Sequence, residues 1–587
     1  MKLSDYVIEF LLKNKINDIF MLSGGGCIHL VDSVGKSKIN YICNLHEQAA
    51  AIAADAYSQV TGNLGACLVT TGPGGTNTLT GVAAAWLDST PIFIISGQVS
   101  TKDRINNRGV RQFGFQEIDI IPIVKTITKY AVTITDPFTI KYHLEKALYL
   151  SKAGRPGPVW IDIPLNIQAC EIDKNLLADY MPEKIFFPHI NAPKILKTIG
   201  QSKRPVILAG NGIRLSHALN EFKELIDKLS IPVLLTWKSM DFLDEEHRCY
   251  MGRPGAIGQR GANFVQQTAD LIICIGARLD LGQTAYQHKF FAPKAKKIIV
   301  DIDPYEIDKL DMDIENKIVA DAKIFLNTLL SNINTYKANH ASWLARCKEL
   351  QQKYPLVTDK NWEDDGFVDN YAFVETLGKY SKNMLIVLGS SGYCGEITMQ
   401  ALKVNNMRIF NSSGLGSMGF GISAAIGACI ANNKQSTICV EGDGGFFLNM
   451  QELEVIRRLN LPIKFFILNN NGYLSIRTTQ NKHFSGILVG CDPSSGVTLP
   501  SLEKTAKLFN LNYKLIKNNT ELNTGVSEVL KETQPIICEL NMSPTKTSAP
   551  RVSVKRNTDG SFSAAPMEDL FPFLSRDEFQ RNMCVKN

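Results

Sequence analysis

"VEGDGGFFLNMQELEVIRRLNLPIKFFILNNNGY", Val440 to Tyr473, decides the fold. A β-branched run ends in Gly442, Asp443, Gly444 and Gly445, a helical stretch follows, and a second apolar run ends in Asn469 and Asn470. Strand, helix, strand in that order is one crossover of a parallel sheet, whose two strand ends lie side by side. The pattern therefore predicts that Asp443 and the Asn470 amide face one spot. It also predicts Asp443 in a tight glycine turn, followed by a helix whose start is marked by Asn449 and, three residues on, Glu452.

Ligands of α/β sheets bind at the carboxyl ends of the strands, where glycines let backbone N–H groups approach an anion. One carboxylate and one amide oxygen, with the Gly472 carbonyl as a third ligand, make a sparse hard-oxygen set. Mg2+ suits such a set, because it keeps waters and takes further ligands from a bound phosphate. The stretch thus predicts a metal site at Asp443, Asn470 and Gly472 and a diphosphate cofactor.

Outward from it, apolar runs that end in glycine-rich turns and lead into helical segments recur along the chain. "GACLVTTGPGG" and "PIFIISGQ" belong to a first set, "RPVILAGNG" and "DLIICIGARLD" to a second, "MLIVLGSS" and "PIICELN" to the third. The fold class read from this is α/β: three consecutive doubly wound parallel-sheet domains at 1–175, 190–345 and 366–545, with a C-terminal tail at 546–587. The links "DKNLLADYMPEKIFFPHI" and "ARCKELQQKYPLVTDKNWEDDG" lack strand patterning and read as surface connectors. The polar, then aromatic tail ending in "FPFL" is a candidate cover for a cleft.

A chain of 587 residues is too long for one core, and 44% apolar with 20% charged residues excludes a disordered or fibrous protein. A net charge of +6 with both signs interspersed argues against nucleic-acid binding. No unbroken apolar stretch is long enough for a membrane span. "MKLSDYVIEFLLKN" reads as an amphipathic helix rather than a signal peptide, and the thirteen scattered cysteines suit reduced thiols. A cytoplasmic protein is expected.

Gly-Asp-Gly, two dozen residues (Gly445 to Leu468), then Asn-Asn resembles the signature of thiamine-diphosphate-dependent enzymes. The three-domain layout is similar to the acetolactate synthase and pyruvate oxidase group. The resemblance covers the chain to about Met542 and implies thiamine diphosphate and Mg2+ as cofactors, with the first domain holding the pyrimidine and the third the diphosphate. It implies Glu47, opening the alanine-rich "EQAAAIAADAY", as the catalytic residue that shares a proton with the aminopyrimidine. Met418 in "GLGSMGFG" matches the wedge between the cofactor rings, with Gly414, Gly416, Gly419 and Gly421 around it for backbone approach. Gly389, Ser390, Ser391 and Tyr473 join the cofactor set. "TTGPGGTN" is similar to the family's turn near the ring, and Gly26, His29, Phe115 and Gln116 fall in the substrate pocket. Arg155, Arg278 and Asp301 fall where the group binds FAD, which is expected here too. In similar enzymes the cofactor bridges two subunits, so the resemblance also implies a homodimer or homotetramer with active sites shared between subunits.

Three positions depart from a biosynthetic acetolactate synthase: Gly282 stands for the second arginine of R-F-D-D-R, Thr479 for a tryptophan, and Leu165 for the lysine of P-K-D. Losing two cations and an aromatic wall weakens recognition of a small carboxylate-bearing acceptor. The function expected is a 2-oxo acid decarboxylase and carboligase with a pyruvate-type donor and a carbonyl acceptor. A carboligase with a keto-sugar acceptor and a pyruvate oxidase-like flavoenzyme are the alternatives.

Overall fold

The computed structural model describes residues 1–390 and 392–584. Ser391, expected to contact the diphosphate, lies outside the described residues. Three all-parallel sheets follow one another along the chain. The first runs Asn40–Cys43, Asp18–Met21, Gly65–Val69, Ile92–Gln98, Val159–Pro164, Tyr130–Thr133 across its width. The second runs Asn316–Val319, Lys296–Asp301, Leu271–Ile275, Pro205–Ala209, Val233–Leu235. The third runs Arg408–Phe410, Leu385–Leu388, Thr437–Gly442, Ile463–Asn469, Ile536–Asn541, Asn512–Ile516, which repeats the strand order of the first. Central strands such as Gly65–Val69 and Thr437–Gly442 are buried at every residue, because helices cover both faces and call for unbroken apolar runs.

In the third sheet Leu388 pairs with Val440 and Gly442 with Leu468, so the turns after all three strands open at one edge. The order reverses between Leu385–Leu388 and Thr437–Gly442, the switch point at which open α/β sheets form a crevice. The first and third domains meet through two alanine-rich helices, Glu47–Thr61 and Phe420–Ala431. They cross so closely that a Cβ on Gly427 would sit 2.0 Å from the Ala53 carbonyl oxygen.

Three expectations need correction. Asp443 is the first residue of a short helix, Asp443–Phe447, rather than part of a tight turn. Asn449 and Glu452 form no capping box: the Asn449 amide donates to the Gly419 carbonyl, and the Glu452 carboxylate accepts from Asn44 Nδ2 at 3.0 Å and Leu45 N–H at 2.9 Å. Long-range partners outcompete the local cap because the carboxylate is buried at the meeting of two domains. The first nine of the 22 residues of the second connector belong to the helix Ala341–Lys353, with Trp343, Cys347 and Leu350 buried at helical spacing against Arg260–Thr268.

The tail crosses from the third domain to the second. The Ala549 N–H donates to Tyr371 Oη, Gln400 Nε2 to the Pro550 carbonyl and Asn263 Nδ2 to that of Met567. Val552, Met567 and Leu570 bury against Ala256 and Ala285. All thirteen cysteines are free. Among the described residues, no helix is long and apolar enough to cross a membrane.

Candidate active site

At the edge of the third sheet a cavity of about 750 Å³ is lined by Ser390, Met418, Gly442, Asp443, Gly444, Gly445, Asn470, Gly472 and Tyr473, among others. Sequence spacing thus brings together the two ends of the opening stretch. Asp443 Oδ1 accepts from the Gly444 N–H and Oδ2 from the Gly472 N–H, each at 2.9 Å. Burial pushes its carboxyl up to about 6, against the pull of these backbone donors. Asn470 Oδ1 and Ser390 Oγ are buried without a hydrogen-bond partner. A buried acceptor beside a buried carboxylate is costly unless a cation or donor completes it, which fits a Mg2+-diphosphate pair. Among the described residues no group of three His, Cys, Asp or Glu side chains forms an alternative metal centre.

Gly472 has φ +132, and a Cβ there would lie 2.2 Å from the Cys491 carbonyl oxygen. Only glycine fits a backbone turned so that its N–H meets Asp443. Arg477, which sequence reasoning missed, ties this loop down. Its guanidinium donates to the Asn470, Asn471 and Pro544 carbonyls and pairs with Asp492 at 3.2 Å.

Glu441 was also missed. It lies one residue before the glycine run and accepts from the Gly421 and Gly442 N–H groups at 3.1 and 3.0 Å. Cβ atoms on Gly389, Gly421 and Gly445 would lie 2.1 to 2.6 Å from its carboxylate. These glycines make room for a buried glutamate, and Gly414 packs on Leu87 and Asp88 of the first domain. Gly416 has open space around it and φ +65, so its glycine serves the backbone bend. The periodicity signal for Glu441 is plain in retrospect: a charged residue inside an otherwise apolar central strand.

Met418 lines the cavity and its Cε lies 3.4 Å from where a Gly444 Cβ would be. The end of the second connector, Tyr354 to Asn361, forms another wall, as do Lys546, Thr547, Ala549 and Pro550 of the tail.

Glu47 is elsewhere. It opens the helix Glu47–Thr61, is 7% exposed and accepts from Asn77 Nδ2 at 3.0 Å, so "TTGPGGTN" supplies its partner. It does not line the cavity that holds Asp443 in the same chain. Neither do Gly26, His29, Phe115 or Gln116. Gly26 N–H donates to Thr70 Oγ1, and a Cβ on Gly72 would lie 2.2 Å from the Gln116 carbonyl, so these loops gather at one edge of the first sheet. Phe115 is 86% exposed there. Of the three departures from the acetolactate synthase pattern, Gly282 lines a second cavity, and neither Thr479 nor Leu165 lines the first.

That second cavity, of about 730 Å³, lies at the switch point of the central sheet and is lined by Arg155, Arg278 and Asp301. Arg155 pairs with Asp303 at 3.1 Å and Glu306 at 2.5 Å. Arg278 donates to the Leu87 carbonyl, leaving Nε buried without a partner. Burial pushes Asp301 up to about 6. A glycine-turned strand end, two arginines and an acidic residue fit a dinucleotide such as FAD.

A parallel sheet whose switch point presents a carboxylate, an unpartnered amide oxygen and a glycine cradle defines a diphosphate-binding enzyme. Three models of one family match in order: the N-terminal thiamine pyrophosphate binding domain at 1–123, the central domain at 193–329 and the C-terminal thiamine pyrophosphate binding domain at 390–540. The acetolactate synthase large subunit of Cyanidium caldarium is 32% identical over 564 residues, 93% of this chain and 94% of that protein. The Escherichia coli K12 acetolactate synthase isozyme 2 large subunit is 28% identical over 556 residues, 94% and 97% of the two chains. The acetolactate synthase large subunit of Lactococcus lactis is 29% identical over 562 residues, 95% of each chain. The chain belongs to the thiamine pyrophosphate enzyme family, and is a thiamine-diphosphate-dependent enzyme resembling acetolactate synthase.

Proposed function

We propose that the chain is a Mg2+-dependent 2-oxo acid decarboxylase and carboligase that joins a pyruvate-type donor to a carbonyl acceptor. The observation that carries this is the Asp443–Gly472 contact beside the unpartnered Asn470 oxygen in one cavity. Thiamine diphosphate, when bound, would supply the nucleophilic carbon that adds to the donor's carbonyl and the electron sink for the charge left as CO2 departs. The chain's residues bind and orient. Asp443, Asn470 and the Gly472 carbonyl would hold the metal, while Gly389, Ser390, Ser391, Gly416, the helix start Gly442–Gly445 and Tyr473 would hold the diphosphate and thiazolium against Met418.

Glu47, held by Asn77, would move the proton at the aminopyrimidine. Because it lies outside the Asp443 cavity of its own chain, we read a complete site as the first domain of one subunit over the third domain of another, in a homodimer or homotetramer. Gly26, His29, Phe115 and Gln116 would then close the substrate pocket from the partner side. Arg155, Arg278 and Asp301 would hold FAD in the central domain. On this reading 1–175 is the pyrimidine domain, 190–345 the flavin domain, 366–545 the diphosphate domain and 546–587 the cover.

The test is incubation of purified protein with thiamine diphosphate, Mg2+ and pyruvate, following CO2 and identifying the product by mass. CO2 release with acetolactate as product is expected; no CO2 from any 2-oxo acid sinks the reading.

A further inference from the structure

The helix Gly392–Ala401 carries one carboxylate that the site as described does not use, Glu396. Its Oε1 lies 3.6 Å from the point a Cβ on Gly392 would occupy, and Ser475 Oγ lies 2.7 Å from the same point. Gly392 and Ser475 both line the cavity of Asp443 and Asn470, as do Tyr393 and Ile397 beside Glu396 on its helix. The other carboxylates of the region have partners: Asp443 accepts from the Gly444 and Gly472 N–H groups, Glu441 from those of Gly421 and Gly442, and Asp369 from those of Tyr371 and Ala372. Glu396 is half-buried, and no described residue donates a hydrogen bond to it or forms an ion pair with it.

Its titratable and charged neighbours come from two other elements. Arg551 of the tail acts on it from a distance, and Tyr371 faces it from the helix Asn370–Tyr380. Both are occupied elsewhere. Arg551 Nη1 donates to Ser548 Oγ, and Tyr371 Oη donates to Gln400 Oε1 at 2.7 Å and accepts from the Ala549 N–H. Burial outweighs Arg551 and raises the carboxyl above the ordinary glutamate range, favouring the protonated form. An acid without a partner, set directly behind the Gly392 and Ser475 portion of the cavity wall, is poised to serve a ligand there.

Carboligation creates such a need. Attack on the acceptor carbonyl puts negative charge on its oxygen, which must gain a proton, and the product's second oxygen must lose one on release. We propose that Glu396 is the proton-transfer residue of the acceptor half-reaction. The inference rests on the carboligase reading above.

As the donor carbon's electron pair forms the new C–C bond, the carbonyl π pair moves to the acceptor oxygen. That oxygen takes the Glu396 proton, leaving a carboxylate. On product release the donor-derived hydroxyl, which must become a ketone, would pass its proton to Glu396, while the electron pair that held the donor carbon would stay with the group it leaves. The acid is regenerated, and neither oxidant nor reductant is consumed.

Glu396→Gln keeps the volume of the side chain and cannot release a proton. In the full-length holoenzyme it is expected to lower carboligation kcat about 10²–10³-fold. CO2 release from pyruvate with an electron-accepting dye in place of the carbonyl acceptor stays within about two-fold, as does cofactor affinity by calorimetry. Infrared spectra of the cofactor-free protein, followed through the ordinary glutamate titration range, show a carboxylic-acid C=O band that outlasts that of a free glutamate and that the variant lacks. Unchanged carboligation with an unchanged pH profile overturns the proposal. So does a parallel loss of dye-coupled turnover and cofactor affinity, which marks a merely structural role. A wild-type protein that releases no CO2 from any 2-oxo acid overturns the carboligase reading and this one together, whereas the first two outcomes overturn only Glu396.

Discussion

The Gly472 N–H donates to Asp443 Oδ2 at 2.9 Å across 29 residues of chain, joining the ends of two adjacent parallel strands. The contact is available because the strand register sets Gly442 opposite Leu468, and because Gly472 adopts φ +132.

Gly472→Ala is expected to break it. The new Cβ would stand 2.2 Å from a backbone oxygen in a conformation that L residues rarely adopt, so the loop must move. Calorimetric titration with Mg2+ and thiamine diphosphate should show at least about a ten-fold loss of affinity, with a stability cost of about 1–3 kcal/mol. Unaltered affinity would remove the loop from the site.

Glu47→Gln should lower turnover about 10²–10⁴-fold while cofactor binding persists. Asn77→Ala should act in the same direction more weakly, since it leaves the buried carboxylate without its partner. Steady-state kinetics beside a cofactor titration separates the two effects; full activity in Glu47→Gln contradicts the assignment.

Shared sites make a sharper demand. Glu47→Gln and Asp443→Asn chains, each inactive alone, should regain about a quarter of wild-type activity when mixed subunits reassemble as dimers, because half the dimers are hybrids with one intact site each. Recovery confined to the background of either homodimer excludes sites built from two chains.

Asp55, fully buried on the Glu47 helix between Gln59 and the Asp88–Lys238 pair, is pushed up to about 7 by burial, with Asp88 adding to the rise and Lys238 opposing it. An acid whose folded pKa lies above its unfolded value binds more protons folded than unfolded between the two values. Stability therefore falls as pH rises from about 4 to about 7 and levels off above. Asp55→Asn should stabilise the protein at pH above about 8, on the order of 1–4 kcal/mol, and do little at about pH 4. Thermal melts across pH check this, and equal shifts at both ends refute it.

If the central cavity takes FAD, the purified protein is yellow, and Arg155→Ala loses flavin on gel filtration that wild type retains. The substitution also leaves Asp303 and Glu306 facing each other without their cation. A wild-type protein that takes up no flavin on reconstitution would contradict the assignment.

Much of the third domain was legible in its residues. The alternation of buried strand, glycine-rich end and helix is local, and a parallel crossover constrains where its ends meet, which is why Asp443, Asn470 and Gly472 line one cavity. The alanine helix opened by Glu47 was equally readable, since its burial is written in composition. Asn449 and Glu452 carried the letters of a capping box, yet their side chains turned to distant partners, because burying Glu452 between domains made Asn44 and Leu45 better partners. Arg477 carried no motif, and its role depends on three carbonyls and a carboxylate that only the folded loop assembles.

Sequence by itself thus determined the three parallel sheets, the family, and the residue types at the diphosphate turn, because hydrophobic period and glycine position act over a few residues. Tertiary structure alone decided which chain segments share a cavity. It separated Glu47 from Asp443 within one chain, gave the glycines to Glu441, and placed the connector and the tail in the cavity wall. It also left Glu396 without a partner beside them. These are contacts between segments distant along the chain, and burial and packing settle them only once all three domains are in place.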